Sequence, residues 1–457
     1  MRVSRRHLLR TAAVLPLAAS GLARMALAQG KDPLPGAPPV PPILFVHGNG
    51  DHAALWITTF WRMESNGIAR DRLAAVNFLN PLARGDDARP QPMRSSTEDQ
   101  RLELARAVAA FRQRTGAPRI ALVGSSRGGN AIRNFIRNGG GGEVSHAVLC
   151  GTPNHGVFAW DENLGSEFNG RGPFLTGLNQ GRTEVTPGTA FLTLRSDRMD
   201  KYAQPDGRFI GKPGRATNVG YDGPELKGAT NLVLGDVDHR ETAFSARAFK
   251  EIYRFIAGSE PARIAIVPEA EVRLSGLVTD TPGGVPTNRP VADASVEVYR
   301  VAPDTGERIG DAVHVTRTAA DGRWGPAQVK PDWYLEFVLG MRGSPTTHIY
   351  RSPFARSSDI VHLRAAHPLS AAESAGGAIV IMSRPRGYFG LPRDIVLLDG
   401  KTPSDVKGGV PADSTAIVRL PQSQLGRPVV AMFNEERIVA RAWPASQNRV
   451  AVAELTY

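Results

Sequence analysis

The first half of the chain alternates short apolar runs with amphipathic stretches of helical period. The run Ile43-Leu44-Phe45-Val46 predicts a buried strand. Strands that alternate with helices favour a mostly parallel sheet with helices on both faces, so residues 43–258 are predicted to form one α/β domain. The further strands are predicted over 119–123, 144–150, 190–194 and 231–234, and the helices from near Ser95, Gly129 and Phe244.

The helix near Ser95 carries the clearest start and stop signals. Ser95-x-x-Glu98 fits a capping box, in which the two side chains satisfy backbone N–H groups at the helix start. Leu104, Val108 and Phe111 follow on one helical face, and the helix is expected to stop at Gly116-Ala117-Pro118.

The texture changes after Gly258. Short β-branched runs such as Val296-Glu297-Val298-Tyr299 and Ile379-Val380-Ile381 recur between glycine, proline and aspartate turns. This pattern predicts a C-terminal all-β region, with two β modules at 262–345 and 346–457.

The N-terminus has the pattern of a twin-arginine export signal. Ser4-Arg5-Arg6-His7-Leu8-Leu9 is followed by a moderately apolar stretch and by Ala26-Leu27-Ala28, a small-x-small cleavage site. Residues 1–28 are therefore interpreted as the signal, and the proline-rich 29–42 as a linker. A soluble mature protein in the periplasm or outside the cell is expected.

The formal net charge of +11 invites a nucleic-acid partner. Five of the positive charges are arginines within the first 28 residues, which hold no acid, so the remainder carries +6. The other basic residues are scattered among acids, which favours a solvated surface and no nucleic acid. The lone cysteine, Cys150, lies in an apolar run and is expected to be buried and unreactive.

The strongest chemical signal is Gly124-Ser125-Ser126-Arg127-Gly128, which matches the G-x-S-x-G nucleophile elbow. The elbow is a sharp strand-to-helix turn that needs small residues on both sides of the serine. Here the motif follows a predicted strand and opens a predicted helix, as that geometry requires. Ser126 is therefore the candidate nucleophile, and the adjacent Ser125 is expected to point elsewhere.

A nucleophilic serine needs backbone donors for the oxyanion. His47-Gly48-Asn49-Gly50 follows an apolar strand, where α/β-hydrolases place a donor loop, and the second donor is the residue after the nucleophile. The backbone amides of Asn49 and Arg127 are the predicted donors.

The base and the acid follow from chain order. Among the ten histidines, His239 alone comes after the elbow on a loop between a late strand and a terminal helix. The acid is expected after the preceding strand, where Asp200 and Asp197 are both candidates. Asp200 is favoured because Asp200-x-x-x-x-Pro205 resembles a frequent hydrolase loop, whereas Asp197 could pair with a neighbouring arginine. No cofactor is expected, and no metal, because metal-binding histidine spacings are lacking.

With these residues assembled, 43–257 resembles bacterial lipases of the class 2 type, also through Gly151-Thr152-Pro153-Asn154-His155-Gly156 and Asp238-His239 with Ala243-Phe244. Together with its β region the chain is similar to an archaeal two-domain lipase, and 263–338 is similar to prealbumin-like sandwiches. The resemblance implies an ester or lipid substrate, and a β region that contacts a lipid or polymer surface. Ser125 and Arg127 depart from the usual His and Met, and a charged elbow would suit a simple triglyceride poorly.

Three alternatives stay open. Val157 to Gly181 is either an apolar-faced lid, which would suit an insoluble substrate, or an ordinary connecting segment. The substrate could also be an extracellular polyester. A non-catalytic binding protein on a hydrolase scaffold is the third, since fold does not fix function.

Overall fold

The computed structural model describes residues 40–457. The predicted export signal and most of the predicted linker lie outside the described residues. Within 40–457, no helix is both long enough and apolar enough to cross a bilayer.

The α/β domain is built on a six-stranded sheet in the order β2-β1-β5-β6-β7-β8. Every neighbouring pair in it is parallel. The strands are β1 (Ile43–Val46), β2 (Leu73–Ala75), β3 (Leu82–Ala83), β4 (Arg94–Ser95), β5 (Ile120–Ser125), β6 (Val144–Cys150), β7 (Ala190–Ser196) and β8 (Thr230–Leu234), of which β3 and β4 form a separate pair. The helices are α1 (Ile57–Ser65), α2 (Thr97–Thr115), α3 (Arg127–Arg137), α4 (Pro173–Leu178), α5 (Glu241–Phe244) and α6 (Ala246–Ala257).

Helices cover both faces of this sheet, as the apolar runs predict. Alternate residues of β1 point to opposite faces, so Phe45 packs with the α1 and α6 side chains while Leu44 and Val46 pack with those of α2 and α3. Strands buried on both sides read as continuous apolar runs, which is why the sequence pattern identified them.

Two helix boundaries differ from the prediction. The capping box of α2 is formed by Ser96 and Asp99, one residue later than Ser95 and Glu98. The Ser95 hydroxyl is buried and instead donates to the Asn80 carbonyl. The predicted terminal helix corresponds to α6, which begins at Ala246, two residues after the predicted start at Phe244; the Ser245 side chain caps it, and a separate short helix, α5, precedes it.

The β region forms one continuous seven-stranded sheet in the order β11-β10-β13-β14-β21-β16-β18, with smaller sheets packed around it. Its central strand β14 pairs with β13 on one side and with β21 on the other, so the sheet crosses the boundary predicted at 345/346. The elements are β9 (Val272–Thr279), β10 (Ser295–Val301), β11 (His314–Arg317), β12 (Arg323–Val329), β13 (Tyr334–Gly340), β14 (Thr346–Arg351), β15 (Leu363–Arg364), α7 (Ala371–Ser374), β16 (Ala378–Ser383), β17 (Val396–Leu398), β18 (Thr415–Leu420), β19 (Pro428–Phe433), β20 (Glu436–Arg441) and β21 (Arg449–Glu454).

The two regions share a core. One apolar cluster runs from α1 and α6 into the β region, where Trp61 meets Phe354 edge to face at 5.9 Å. The described residues, 40–457, accordingly form one compact unit. The β region therefore packs directly against the α/β domain and can contribute side chains to a site there.

Candidate active site

Ser126 lies on a strained turn between β5 and α3. Its backbone has φ 52° and ψ −121°, a conformation that L-residues rarely adopt. Its amide donates to the Cys150 carbonyl at 2.7 Å, which ties the turn to the neighbouring strand. The side chain is partly exposed, whereas Ser125 is buried. This is the geometry of a nucleophile elbow.

The flanking glycines are required by close backbone contacts. A Cβ on Gly124 would lie 2.7 Å from the Gly129 amide nitrogen, and one on Gly128 would lie 2.5 Å from the His47 carbonyl oxygen. Both separations are closer than a methyl group tolerates, so the elbow can form only with glycine at these positions.

His239 and Asp200 are brought together by the ends of β8 and β7. Nδ1 of His239 donates to Oδ2 of Asp200 at 2.8 Å, and both side chains are buried. Oδ1 of Asp200 accepts the Tyr202 amide, which fixes the carboxylate. Since Nδ1 carries the proton, Nε2 of His239 has a free lone pair, and it has no hydrogen-bond partner.

Asp197, the alternative acid, binds backbone amides of the neighbouring loops. Its carboxylate accepts the backbone amides of Met199 and Asp236, each at 3.0 Å. It therefore fixes the loops that follow β7 and β8 and makes no hydrogen bond to His239.

The loop after β1 is held by a buried histidine. Nε2 of His47 accepts the Phe78 amide at 3.1 Å, and Nδ1 donates to the Gly48 carbonyl at 2.9 Å. Burial lowers the pKa of His47, so the neutral ring suited to these two bonds is favoured. The sequence identified the loop but not this role. Asn288 of the β region also donates to the Asp51 carbonyl of the loop at 3.0 Å.

The Arg127 side chain faces away from the substrate side of the elbow. It is 1% exposed and pairs with the buried Glu167, with Nη2 2.7 Å from a carboxylate oxygen. It also donates to the Pro81 carbonyl and to Ser95. The positive charge of Arg127, which the sequence placed at the elbow, is thus neutralised by Glu167. Only the backbone N–H of Arg127 remains next to Ser126.

A cavity of about 260 Å³ joins these residues. Ser126, His239 and Asn49 all line it, while Asp200 lies behind His239. The remaining lining combines apolar side chains with a few polar ones: Gly48, Asp51, Ser125, Pro153, Val157, Phe158, Phe168, Tyr202, Ile210, Arg240 and Tyr388. Such a site, mostly apolar with a few convergent polar groups, is typical of small-molecule pockets.

Sequence reasoning missed four residues that line this cavity, Asp51, Ile210, Arg240 and Tyr388. Asp51 and Arg240 are neighbours of motif residues, and their position next to the motifs was the available signal. Tyr388 comes from the β region, 149 residues after His239, and no local pattern marks it.

Within residues 40–457, no group of three or more histidine, cysteine, aspartate or glutamate side chains could hold a metal ion. Cys150 is fully buried in β6, and burial raises the pKa of its thiol. The polar side chains that line the cavity include those of Ser126, His239, Asp51 and Arg240.

Two family models match the chain. Residues 41–244 match the model described as the alpha/beta hydrolase fold, in agreement with the parallel sheet and the elbow. The fold is that of an α/β hydrolase. Residues 270–368, within the all-β region, match the model described as the lipase C-terminal domain. No curated protein matches the chain significantly.

Several solved structures are weakly similar to this chain. The mature Bacillus licheniformis lipase BlEst2 is 19% identical, with 50% of this chain and 96% of that chain covered and a TM-score of 0.35. Aspergillus fumigatus lipase B is 13% identical over 49% and 54%, with a TM-score of 0.35. The Bacillus subtilis carboxylesterase CesB is 15% identical over 49% and 86%, with a TM-score of 0.27.

Proposed function

We propose that this α/β hydrolase is an exported carboxylic ester hydrolase that acts through an acyl-enzyme on Ser126. One observation carries the proposal: Ser126 on its strained turn and His239, already paired with Asp200, line the same cavity. The fold and the lipase-type β region support ester hydrolysis in general. The triad assignment and the substrate are part of the proposal.

The chemistry starts from the state of His239. Because Nδ1 donates to Asp200, Nε2 accepts the proton of the Ser126 hydroxyl as its oxygen attacks the ester carbonyl. Asp200 holds the ring orientation and stabilises the imidazolium. Nε2 then returns the proton to the leaving alcohol, and a water molecule, deprotonated in the same way, releases the acid.

The developing oxyanion is bound by backbone N–H groups in this proposal. Arg127 is the first residue of α3, so no intrahelical carbonyl accepts its amide hydrogen. Asn49 lines the cavity next to Gly48. Preorganised donors of this type contribute about 3–4 kcal/mol each to transition-state stabilisation.

The cavity favours a small substrate. Pockets for drug-sized ligands measure about 300–1,000 Å³, so a cavity of about 260 Å³ suits an ester with a short acyl chain. The side chains of Val157, Phe158, Phe168 and Ile210 provide an apolar wall for that chain. Within the ester hydrolases, this favours a short-chain carboxylesterase over a long-chain lipase.

Export rests on the twin-arginine segment of residues 1–28, outside the described residues. The narrower likeness to class 2 bacterial lipases and to the archaeal two-domain lipase also stays a prediction, as does contact of the β region with a lipid or polymer surface.

The function is tested with p-nitrophenyl esters of increasing acyl length. We expect kcat/KM to be highest for acyl chains of up to about six carbons and to fall beyond them, because the cavity of about 260 Å³ is small. Ser126→Ala should abolish hydrolysis, while Ser423→Ala, an exposed serine of the β region, should leave it unchanged. Rates that rise steadily to palmitate would instead assign a long-chain lipase.

A further inference from the structure

We propose that the loop joining β16 to β17 (384–395, the β16–β17 loop) completes the catalytic site. In this proposal Arg384 positions the loop that carries His239 (235–240, the base loop), and Tyr388 determines specificity for the acyl group. This inference rests on the proposed ester hydrolase function and assigns a role in it to the β region.

Arg384 clamps the residues on both sides of His239. Its side chain is 3% exposed, and its guanidinium donates to the Asp238 carboxylate at 2.9 Å and to Glu241 at 2.6 Å. The Tyr388 amide donates to the same oxygen of Asp238 at 2.7 Å. Asp238 immediately precedes His239 and is fully buried, so its charge depends on these donors.

A second set of contacts secures the same loop. Arg393 donates to Glu241 at 2.8 Å and to the Asp236 carbonyl at 3.2 Å. In the reverse direction, Arg240 donates to the Pro385 carbonyl at 2.7 Å. The base loop is thus held on both sides of His239 by the β16–β17 loop, across more than 140 residues of sequence.

The Asp238 and Glu241 carboxylates lie close together, and the Arg384 and Arg393 guanidiniums compensate their negative charges. Burial raises the pKa of Asp238, and the nearby Glu241 carboxylate raises it further, while Arg384 lowers it. With Arg384 present, both carboxylates can stay ionised and hydrogen-bonded. Without Arg384, the buried Asp238 carboxylate next to His239 would lose a hydrogen-bond donor, and the base loop would gain alternative conformations.

Tyr388 reaches the cavity itself. Every other residue lining the cavity belongs to the α/β domain. The Tyr388 ring is held by two cations: the Lys201 ammonium lies 3.9 Å from the ring centroid and the Arg240 guanidinium lies 5.0 Å from it. Because burial raises the pKa of Tyr388 well above its ordinary value, its hydroxyl stays neutral. A fixed neutral ring in a small cavity limits the size of the bound group.

The two residues should therefore give opposite kinetic signatures in the full-length protein. A base displaced by about 1 Å loses on the order of 10²-fold in rate, so Arg384→Met should lower kcat at least about tenfold with KM nearly unchanged. Tyr388→Ala should shift the chain-length optimum to longer acyl groups, measured as a rise in kcat/KM for an octanoate ester relative to an acetate ester. Arg419→Met, which removes an exposed arginine of β18, is the matched control and should behave as wild type.

Folding is checked by circular dichroism, and if Arg384→Met does not fold, Arg384→Lys is used, which keeps the charge but loses the double contact. The inference is overturned if folded Arg384 variants retain kcat within twofold and Tyr388→Ala keeps the wild-type chain-length profile. A phosphonate that labels Ser126 separates the two claims. Normal labelling with unaffected variants removes this inference alone, and an unlabelled wild-type protein removes the proposed function with it.

Discussion

Arg127, the residue after the candidate nucleophile, forms a fully buried ion pair with Glu167. The two side chains are 1% and 2% exposed, and the guanidinium contacts both carboxylate oxygens. Glu167 lies in the segment 157–181, whose residues Phe158 and Phe168 line the cavity. The pair therefore couples the elbow to the cavity wall.

The ion pair should matter for stability. Glu167→Gln leaves the buried Arg127 with an incomplete partner, and breaking a buried pair costs about 3–5 kcal/mol. We expect a loss of about 3 kcal/mol in the free energy of unfolding, measured by urea titration. Glu162→Gln removes an exposed partner of Arg215 in the same segment and should leave the urea midpoint unchanged. Equal midpoints for both variants would contradict the role of the pair.

The same contacts argue against a mobile lid. The Asn169 side chain is fully buried and donates to the carbonyls of Trp160 and Glu162, and the Ala159 amide donates to Thr217 outside the segment. The Asn169 bonds hold the segment together internally, and opening it would break the bond to Thr217 together with the buried pair. We therefore expect the rate on a sparingly soluble ester to saturate smoothly through its solubility limit. A jump in rate at the interface would restore the lid.

Asp200 and Asp197 offer a matched pair of substitutions. Asp200→Asn removes the carboxylate that orients His239, so kcat should fall on the order of 10³–10⁴-fold. Asp197→Asn keeps an acceptor oxygen for only one of the two backbone amides, but neither bond involves His239, so kcat should change less than about fivefold. Both values come from steady-state hydrolysis of a p-nitrophenyl ester, and the opposite ranking would move the acid to Asp197.

Local patterns carried the sequence prediction where the determining contacts are local. The elbow, the loop after β1 and the strand preceding His239 each combine an apolar run with a turn, and the structure places their residues in one cavity. The capping box was misplaced by one residue because Ser95 and Ser96 both fit the pattern. Tertiary contact decides between them, since Ser95 is used by Arg127.

The contacts that sequence reasoning missed are long-range. Arg384 and Tyr388 reach the base loop through a sheet whose strand order is not sequential, so no periodicity or spacing signals them. The β region was predicted as two modules because residues 263–338 resemble a prealbumin-like sandwich, and a local resemblance carries no information on strand partners outside it. Pairing of β14 with β21 joins the parts.

The junction of the two regions should be sensitive to acid. Burial lowers the pKa of His362 to about 3, and the Arg364 charge contributes. The unfolded chain binds this proton below about pH 6.5 whereas the folded protein does not, so stability present above pH 6.5 is lost as the pH falls towards 3. Burial also lowers the pKa values of His47 and His52, which adds loss of the same sign.

We expect the free energy of unfolding to fall by up to about 1.4 kcal/mol per pH unit for His362 between pH 6 and 4. Protonation of His362 would also break the hydrogen bond that its Nδ1 accepts from the Leu277 amide at 3.2 Å. His362→Gln should flatten the slope of unfolding free energy against pH, measured by urea titration at several pH values. An unchanged slope in that variant would show that other groups carry the acid sensitivity.

The central claim is that Ser126 is a nucleophile activated by His239. It is tested most directly by incubating the folded protein with an alkyl fluorophosphonate and locating the adduct by mass spectrometry. We predict one adduct per chain, on Ser126, absent in Ser126→Ala and strongly slowed in His239→Ala, with Ser423→Ala labelled as wild type. A folded wild-type protein that stays unlabelled at saturating reagent, or that is labelled on a different serine, would contradict the claim.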